Sequence, residues 1–265
     1  MKEGKIITCW SPRGNMGTTL TAINSAMALT KYGETILIDF NLIQPRISQY
    51  LNLPANQKSI DDLYPFAIGG KFSKEIVIAN CDKVENLYVL KGTVTPSLDE
   101  FVSQDILEGL LNGLKNDFDY IVLDTHTYLS NPGTYTALNM CDIAFTMMHK
   151  DVYTSMALHD LSNYIFQLFN KDKFVLIFNQ ESEEIHMKIA DIVDIVKLPL
   201  GGTLPKVNDA YNLINQGNTP NLIKEKSFKG YFQSLDKIIK ENITREKQVV
   251  EKTKKKKFNF FSKKN

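Results

Sequence analysis

Short apolar segments recur along this chain at intervals that leave room for a helix between successive segments. An apolar run such as Tyr-Ile-Val-Leu suits a strand that is covered on both faces, and such strands form parallel sheets. The segments that predict strands are 5–10, 35–39, 87–90, 120–124, 143–148 and 174–178. Apolar residues at three- and four-residue spacing predict amphipathic helices over 19–31, 104–116, 152–170 and 227–246. Their order predicts an α/β fold, a doubly wound and mostly parallel sheet with helices on both faces.

The composition is that of a globular protein, and it excludes several classes. Apolar residues make up 43% of the chain and charged residues 23%, so a large core can form. Cys9, Cys81 and Cys141 lie far apart and form no CxxC pair, so neither a disulfide framework nor a zinc site is expected. The first residues are too polar for a secretion signal, and no apolar run approaches the roughly 18 residues of a spanning helix. We therefore expect a cytoplasmic protein.

The net charge of +1 conceals a basic C-terminal segment, because residues 240–265 hold ten Lys or Arg and three Glu. The apolar pattern gives way to charge from about Glu246 onward, which predicts a folded domain over 1–247 and a mobile tail over 248–265. Lysines near an anionic bilayer contribute about 1 kcal/mol each and buried phenylalanines add apolar transfer energy, so the tail is predicted to bind a membrane surface. The predicted membrane-binding residues are Lys254, Lys255, Lys256, Lys257, Phe258, Phe260, Phe261, Lys263 and Lys264.

Two alternatives remain for this tail. Basic residues with interleaved aromatics also suit nucleic acid, because they contact phosphates and stack on bases. A solvated tail is the other interpretation, and the three phenylalanines argue against it because exposed phenylalanines confer no solubility.

The polar segment 11–19 lies between the first predicted strand and a predicted helix, which is the context that a phosphate-binding loop requires. Small residues such as Gly14 and Gly17 let backbone N–H groups turn toward phosphate oxygens, while the helix that follows directs its positive end at the same anion. Thr19, at the helix start, could offer its hydroxyl to Mg²⁺. The alternative is that 11–19 is only a polar turn.

This segment resembles the deviant phosphate loop of the MinD/ParA family, which reads KGGxGKT[ST]. The alignment needs no gap: Arg13 falls on the family's signature lysine, Thr18 on its phosphate-loop lysine and Thr19 on its magnesium threonine. The resemblance extends over roughly 5–240 and implies a P-loop NTPase fold, with ATP and Mg²⁺ as cofactors. The loop residues that it implies for nucleotide binding are Arg13, Gly14, Asn15, Met16, Gly17, Thr18 and Thr19.

Two substitutions depart from the family's pattern. Thr18 cannot supply the lysine charge to the β- and γ-phosphates, and charge-assisted contacts of that kind contribute about 1.5–3 kcal/mol. Asn41 stands where the family commonly has the second carboxylate of an Asp-x-Asp pattern, and it cannot act as a base. We therefore expect weakened nucleotide binding, and at these two positions slow or absent hydrolysis and active hydrolysis remain equal alternatives. Arg13 keeps a positive charge at the signature position.

Two predicted strands end in aspartate, Asp39 and Asp124. Asp124 matches the family's Walker B carboxylate, so the resemblance implies that Thr19, Asp39 and Asp124 hold Mg²⁺, partly through water. Asp39 is a weak candidate for a catalytic residue, and its alternative is to cap a helix or turn. His126 is expected to be a neighbour of the site and not a catalyst.

The last landmarks concern the base of the nucleotide. Asn179 ends the strand 174–178 and resembles the family's adenine-binding asparagine, since an amide both donates and accepts. An ordinary turn residue is the alternative. Pro205 resembles the proline beside the base, and Gly201-Gly202 with Pro205 is read as a turn. Segment 208–217 matches the family's helix that is followed by glycine.

The resemblance implies an ATP-binding, weakly hydrolysing or non-hydrolysing dimeric switch. Its two departures are most similar to the TadZ/CpaE branch, so we predict that it positions or helps assemble a membrane-associated machine such as a pilus or secretion system. Expected partners are a second copy of the chain, an anionic membrane surface on the inner face of a bacterial cell, and a protein of that machine. The alternatives are a nucleotide-free scaffold and a ParA-type ATPase that partitions DNA or positions a division site.

Overall fold

A computed structural model describes the protein over residues 3–54, 58–67, 72–93, 102–181, 187–217 and 219–244. The strands are β1 (Lys5–Trp10), β2 (Thr35–Asp39), β3 (Asp82–Val84), β4 (Leu87–Leu90), β5 (Tyr120–Asp124), β6 (Ile143–Met148), β7 (Phe174–Glu181) and β8 (Leu200–Pro205). The helices are α1 (Thr18–Leu29), α2 (Ile47–Tyr50), α3 (Tyr64–Ala67), α4 (Lys74–Ala79), α5 (Gln104–Leu114), α6 (Pro132–Met140), α7 (Val152–Leu168), α8 (Ile189–Val196), α9 (Ala210–Asn215) and α10 (Lys229–Ile239). Short 3₁₀ turns cover Ile60–Leu63, Lys171–Lys173, Thr219–Lys224 and Lys226–Phe228, and a π turn covers Lys240–Thr244.

The strands form one eight-stranded sheet in the order β3-β4-β2-β5-β1-β6-β7-β8. All neighbouring strands are parallel except β3, which runs antiparallel to β4. β1 lies between β5 and β6, so the chain winds to both sides of it and leaves a crevice at the carboxyl ends of the central strands. Asp39 and Asp124 are paired in register at the ends of β2 and β5.

Side chains along the central strands alternate between two apolar cores, one on each face of the sheet. Ile7 and Leu37 belong to the core that is closed by residues of α1 and α10, and Ile6 and Ile36 belong to the core that is closed by residues of α5 to α8. Because both faces are covered, both alternating sets must be apolar. The predicted fold, a doubly wound and mostly parallel sheet with helices on both faces, is confirmed.

The predicted strand bounds are confirmed for five of the segments, and the sixth, 174–178, continues to Glu181. The edge strand β3 was not predicted, because Asp82 and Lys83 give it no apolar run. The helix start at Asn131-Pro132 is confirmed: the Asn131 side chain caps α6 and accepts a hydrogen bond from the N–H of Thr134 at 3.1 Å. In the described ranges, no helix is both long and apolar enough to cross a bilayer.

The prediction of a turn at Gly201-Gly202 was wrong, since both glycines lie within β8. Their small size serves packing instead. A Cβ on Gly201 would lie 2.8 Å from Cδ1 of Ile177 on β7, and a Cβ on Gly202 would lie 2.4 Å from Cγ1 of Ile238 on α10. Glycine therefore lets α10 approach the sheet closely, which a reading of glycine as a turn signal does not reveal.

Candidate functional site

The loop between β1 and α1 opens with a turn that is closed by Ser11. The Ser11 hydroxyl donates to the carbonyl of Arg13 at 2.6 Å and accepts from the N–H of Arg13 at 3.2 Å. Further along, Asn15 (φ 63°) and Gly17 (φ 80°) adopt the left-handed conformation. Asparagine tolerates this region better than other residues that carry a side chain, so Asn15 can replace a family glycine without changing the backbone path.

Gly17 is required for a second reason. A Cβ at this position would lie 2.1 Å from Nδ2 of Asn179 on β7, so the loop can approach β7 only if residue 17 has no side chain. Gly14, in contrast, has no neighbour within 4 Å of an added Cβ and faces open space.

Met16 anchors the loop to the body of the protein. Its side chain is buried, its sulfur lies 3.5 Å from the hydroxyl oxygen of Thr154 on α7, and its carbonyl accepts a hydrogen bond from Nδ2 of Asn179 at 3.0 Å. Asn179 thus holds the phosphate loop through the group that was expected to read adenine, and adenine recognition by Asn179 stays a prediction. Met16 contributes to the site as a buried anchor.

The N-terminus of α1 is arranged to receive an anion. Gly17 is its N-cap residue and offers no side-chain hydrogen bond, and its first turn contains no acidic residue. The first N–H groups of a helix have no partner within the helix, and the helix dipole places positive potential there. Thr18 and Thr19 open this helix, so a phosphate group beside them would meet backbone donors even without a lysine.

Asp124 lies fully buried at the end of β5. Within the described part of the chain, neither of its carboxylate oxygens makes a well-formed hydrogen bond. Burial and the neighbouring Asp39 raise its pKa well above the usual range, and the Thr19 hydroxyl, the Thr125 backbone and Arg46 offset only part of this. A buried carboxylate in this state attracts a cation.

Asp39 has a different environment, although it is equally buried. Its Oδ1 accepts from the N–H of Asn41 at 3.1 Å, and its Oδ2 accepts from the N–H groups of Arg46 at 2.9 Å and Ile47 at 3.0 Å. Burial raises its pKa to about 7, and these three hydrogen bonds oppose the rise. Asp39 therefore orders the loop between β2 and α2, and this geometry gives no support to the weak prediction of a catalytic role.

The donor set at this site fits the way in which Mg²⁺ is commonly bound in proteins. Mg²⁺ is usually held by one or two carboxylates together with water and the phosphates of the substrate, and not by a cage of protein ligands. Asp124 offers a buried carboxylate and Thr19 a nearby hydroxyl, while Asp39 contributes negative charge in the adjacent register position. The described ranges contain no group of three or more His, Cys, Asp or Glu side chains that could hold a metal alone.

Two cavities adjoin the loop and share Asn15, Gly17, Leu20 and Tyr50. The smaller, of about 220 Å³, is the phosphate cavity; it brings together Arg13, Gly14, Asn15, Gly17, Thr18, Thr19, Asn41, Gln44, Arg46, Thr125, His126 and Thr127. The larger, of about 590 Å³, is the base cavity; it includes Asn179, Gln180, Pro205, Lys206, Tyr211, Phe228 and Tyr231. Together they form one polar and one partly aromatic compartment, which match the two ends of a nucleotide.

Several lining residues were missed by the sequence analysis. Arg46 lies seven residues beyond Asp39 in a loop without periodicity, and Tyr50 follows it in α2. Phe228 ends the turn before α10 and Tyr231 lies in the first turn of α10, within a segment that was predicted as a helix but not as part of the site. The signal that could have found Arg46 is its position shortly after the strand-end residue Asp39, whose carboxylate accepts a hydrogen bond from the N–H of Arg46.

His126 lines the phosphate cavity, as expected of a neighbour of the site. Its Nδ1 accepts a hydrogen bond from the N–H of Tyr128 at 3.1 Å. Burial and, to a smaller extent, Arg46 lower its pKa, so its ring is neutral at pH 7.

Arg13 points toward the exposed side of the site. Its guanidinium lies 5.9 Å from the centroid of the Tyr153 ring, at the start of α7, and both residues are exposed. The tail residues Lys254 to Lys264 lie outside the described residues, so the membrane interpretation remains a sequence prediction.

Comparisons with known proteins identify the family of this chain. A family model described as an AAA domain matches residues 4–178, more than half of the chain. The septum site-determining protein MinD of Neisseria meningitidis is 25% identical over 229 residues, which cover 80% of this chain and 82% of MinD.

Two solved structures share the fold. The ParA family ATPase from Chlorobium tepidum has a TM-score of 0.78 at 15% identity, over 89% of this chain and 98% of its own. MinD of Pyrococcus horikoshii, solved as a complex with Mg-ADP, has a TM-score of 0.67 at 18% identity, over 90% of this chain and 95% of its own. The fold and the loop define a P-loop protein of the nucleotide-binding class. The chain belongs to the MinD/ParA family.

Proposed function

We propose that this protein is a nucleotide-dependent switch that binds Mg²⁺-ATP in the phosphate and base cavities and turns it over slowly or not at all. The observation that carries the proposal is the buried and only partly compensated carboxylate of Asp124, which lies beside Thr19 and an uncapped helix N-terminus. A bound cation would account for a buried carboxylate whose oxygens make no well-formed hydrogen bond. When bound, Mg²⁺ would screen the phosphate charge and connect the nucleotide to Asp124.

Slow turnover is supported by the two residues that flank the phosphate cavity. Both oxygens of Asp39 accept backbone hydrogen bonds, and the Oδ1 of Asn41 accepts one from the N–H of Gln44 at 3.1 Å. Neither position therefore offers a free carboxylate that could take a proton from an attacking water. A switch needs nucleotide binding more than hydrolysis, so asparagine at position 41 is compatible with this function.

A homodimer is the proposed active form. Arg13, at the family's signature position, and Tyr153 are exposed next to the loop, where they could contact the nucleotide side of a second copy. Exposed Val152 and Met156 extend the apolar part of this face. Dimerisation would place two tails on one particle and strengthen membrane attachment through avidity.

The cellular role that we propose is to position or help assemble a membrane-associated machine, such as a pilus or secretion system, from the cytoplasmic face of a bacterial membrane. The basic, aromatic tail supports this, since 254–264 combine lysines with three phenylalanines. Assignment to the TadZ/CpaE branch rests on Thr18 and Asn41 alone. The partner protein within that machine is unidentified.

A nucleotide-free scaffold is the second candidate, and Thr18 is the observation that favours it. Titration calorimetry of the full chain with ATP, in the presence and absence of Mg²⁺, distinguishes the two. The switch predicts binding that Mg²⁺ strengthens, while an absence of heat at millimolar nucleotide would leave the scaffold. Phosphate release that DNA stimulates would instead support a ParA-type partition ATPase.

A further inference from the structure

The phosphate cavity contains a positive charge that the family's loop pattern does not account for. Two cationic side chains line this cavity, Arg13 and Arg46. The guanidinium of Arg13 lies over the Tyr153 ring, toward the exposed side of the loop. Arg46 lines the cavity from the loop between β2 and α2, together with Gln44 and Asn41.

The backbone of Arg46 is fixed by the strand end below it. Asp39 Oδ2 accepts from the N–H groups of Arg46 at 2.9 Å and Ile47 at 3.0 Å, and Asp39 itself is fully buried. The guanidinium is held more loosely, because Nη2 donates to Oε1 of the exposed Gln44 at 3.2 Å. Arg46 thus combines a positioned backbone with a side chain that can exchange one weak partner for a stronger one.

Arg46 borders the same space as the N-terminus of α1. Thr18 and Thr19, which open that helix, line the phosphate cavity together with Arg46. The cation on the loop after β2 and the free N–H groups of α1 therefore face one cavity.

We propose that Arg46 supplies the positive charge that Thr18 lacks, by donating from its guanidinium to the β- and γ-phosphate oxygens of a bound nucleoside triphosphate. This inference rests on the proposed nucleotide binding. A guanidinium suits the task because its planar fork donates two parallel hydrogen bonds to a phosphate group. The charge has thus moved from α1 to the loop after β2, which lines the same cavity.

Titration calorimetry with ATP, ADP and AMP, each with Mg²⁺, tests the proposal on the full chain. Arg46→Gln is expected to raise the Kd for ATP about ten- to a hundredfold, because it removes a charge-assisted contact. AMP, which lacks the two outer phosphates, should bind both forms with similar affinity. Lys31→Gln is the matched control: it removes the same charge from an exposed position just beyond the far end of α1, and should leave every Kd within about twofold of the original value.

A variant that moves the positive charge from position 46 back to position 18 makes the test independent of folding effects. Thr18→Lys restores the family's lysine, so the double variant Thr18→Lys with Arg46→Gln should regain most of the ATP affinity that Arg46→Gln loses. Arg46→Lys keeps the charge but loses the fork, so its Kd for ATP should lie between those of the original protein and Arg46→Gln. Circular dichroism and thermal melts identify any variant that is unfolded, in which case Arg46→Lys and Thr18→Lys carry the comparison.

Three results would overturn the inference. Equal ATP affinity of the original chain and Arg46→Gln would show that Arg46 does not touch the outer phosphates, while nucleotide binding itself would stand. An equal loss for AMP and ATP, without rescue by Thr18→Lys, would mean that Arg46 only orders the loop. No ATP binding by the original chain at millimolar concentration would remove both the inference and the proposed function.

Discussion

Asp124 carries a carboxylate that folding buries while only part of the cost is offset, by the Thr19 hydroxyl, the Thr125 backbone and Arg46. Burying such a group is unfavourable, and a bound cation would relieve the remaining cost. The neighbouring Asp39 reduces the same cost by accepting three backbone hydrogen bonds, although the two residues are paired in register on adjacent strands. Two aspartates at equivalent strand ends thus have different tasks: one orders a loop and the other is available to a ligand.

Asp124→Asn is expected to stabilise the nucleotide-free protein and to remove its response to Mg²⁺. The amide needs no buried charge, so the free energy of unfolding at pH 8 should rise by about 1–3 kcal/mol. Urea unfolding followed through the fluorescence of Trp10, the single, buried tryptophan, measures this. In the same variant, Mg²⁺ should no longer strengthen ATP binding. A loss of stability in the variant would show that Asp124 has a compensating partner in the free protein.

Gly17→Ala tests the close approach of the loop to β7. The substitution places a Cβ in the left-handed region and against the Asn179 amide, so it should cost more than the about 1–2 kcal/mol of the backbone strain alone. Gly14→Ala is the matched control in the same loop, because an added Cβ there meets no neighbour; its effect should stay within about 0.5 kcal/mol. Urea unfolding measures the loss of stability in each variant. Equal losses would argue against the close approach of the loop to Asn179.

At the scale of elements, the start of α7 supports the phosphate loop from outside. Asp151 caps this helix: its Oδ1 accepts from the N–H of Thr154 at 2.7 Å, and its Oδ2 accepts from the Thr154 hydroxyl at 2.8 Å. The same Thr154 contacts the sulfur of Met16. The cap of one helix is thereby connected to the loop before another.

Asp151→Ala should destabilise the protein by about 0.5–2 kcal/mol, the range measured for loss of a helix cap. It should also weaken ATP binding, because Thr154 loses the partner that orients it toward Met16. Asp160→Ala, on the exposed middle of α7, removes the same charge without a cap and is the control. Thermal unfolding and calorimetry with ATP provide the two readouts. Equal ATP affinities of the two variants would mean that the cap of α7 does not support the phosphate loop.

The elements that the sequence predicted best are those whose pattern has a single physical cause. Strands covered on both faces must be apolar throughout, so β1, β2 and β5 were located with their exact bounds. β3 was missed because an edge strand with a polar sequence lacks that pattern. Gly201 and Gly202 were misread because glycine signals both a turn and close packing, and only the position of Ile238 distinguishes the two.

The candidate site divides in the same way. Residues at strand ends and in the loop after β1 were predictable, because the topology of a parallel sheet brings these positions together. Arg46, Tyr50, Phe228 and Tyr231 were not, because their approach to the cavities depends on loop paths and on how α10 packs. The role of Asn179 as an anchor of Met16 was not predictable either, since the sequence shows an amide but not its hydrogen-bond partner.

At the scale of the whole molecule, the proposed switch connects nucleotide binding to membrane attachment through the number of tails on each particle. One tail, with lysines that contribute about 1 kcal/mol each at an anionic surface, gives weak and reversible attachment. Two tails on a dimer bind the same surface with an avidity that can exceed the single affinity by about 10²–10⁴. The protein should therefore respond to ATP as a dimer and to lipid charge as a polycation.

Co-sedimentation with vesicles tests this expectation. Mg²⁺-ATP should lower the concentration of anionic vesicles needed for half-maximal binding at least tenfold, and should double the particle mass in light scattering. Replacing Phe258, Phe260 and Phe261 by serine should weaken vesicle binding while leaving the mass change intact, since the phenylalanines act at the bilayer and not in the proposed dimer. Neutral vesicles are the control for charge. Equal sedimentation with and without ATP would show that membrane attachment does not depend on the nucleotide. Sedimentation unaffected by the serine substitutions would exclude these phenylalanines as membrane contacts.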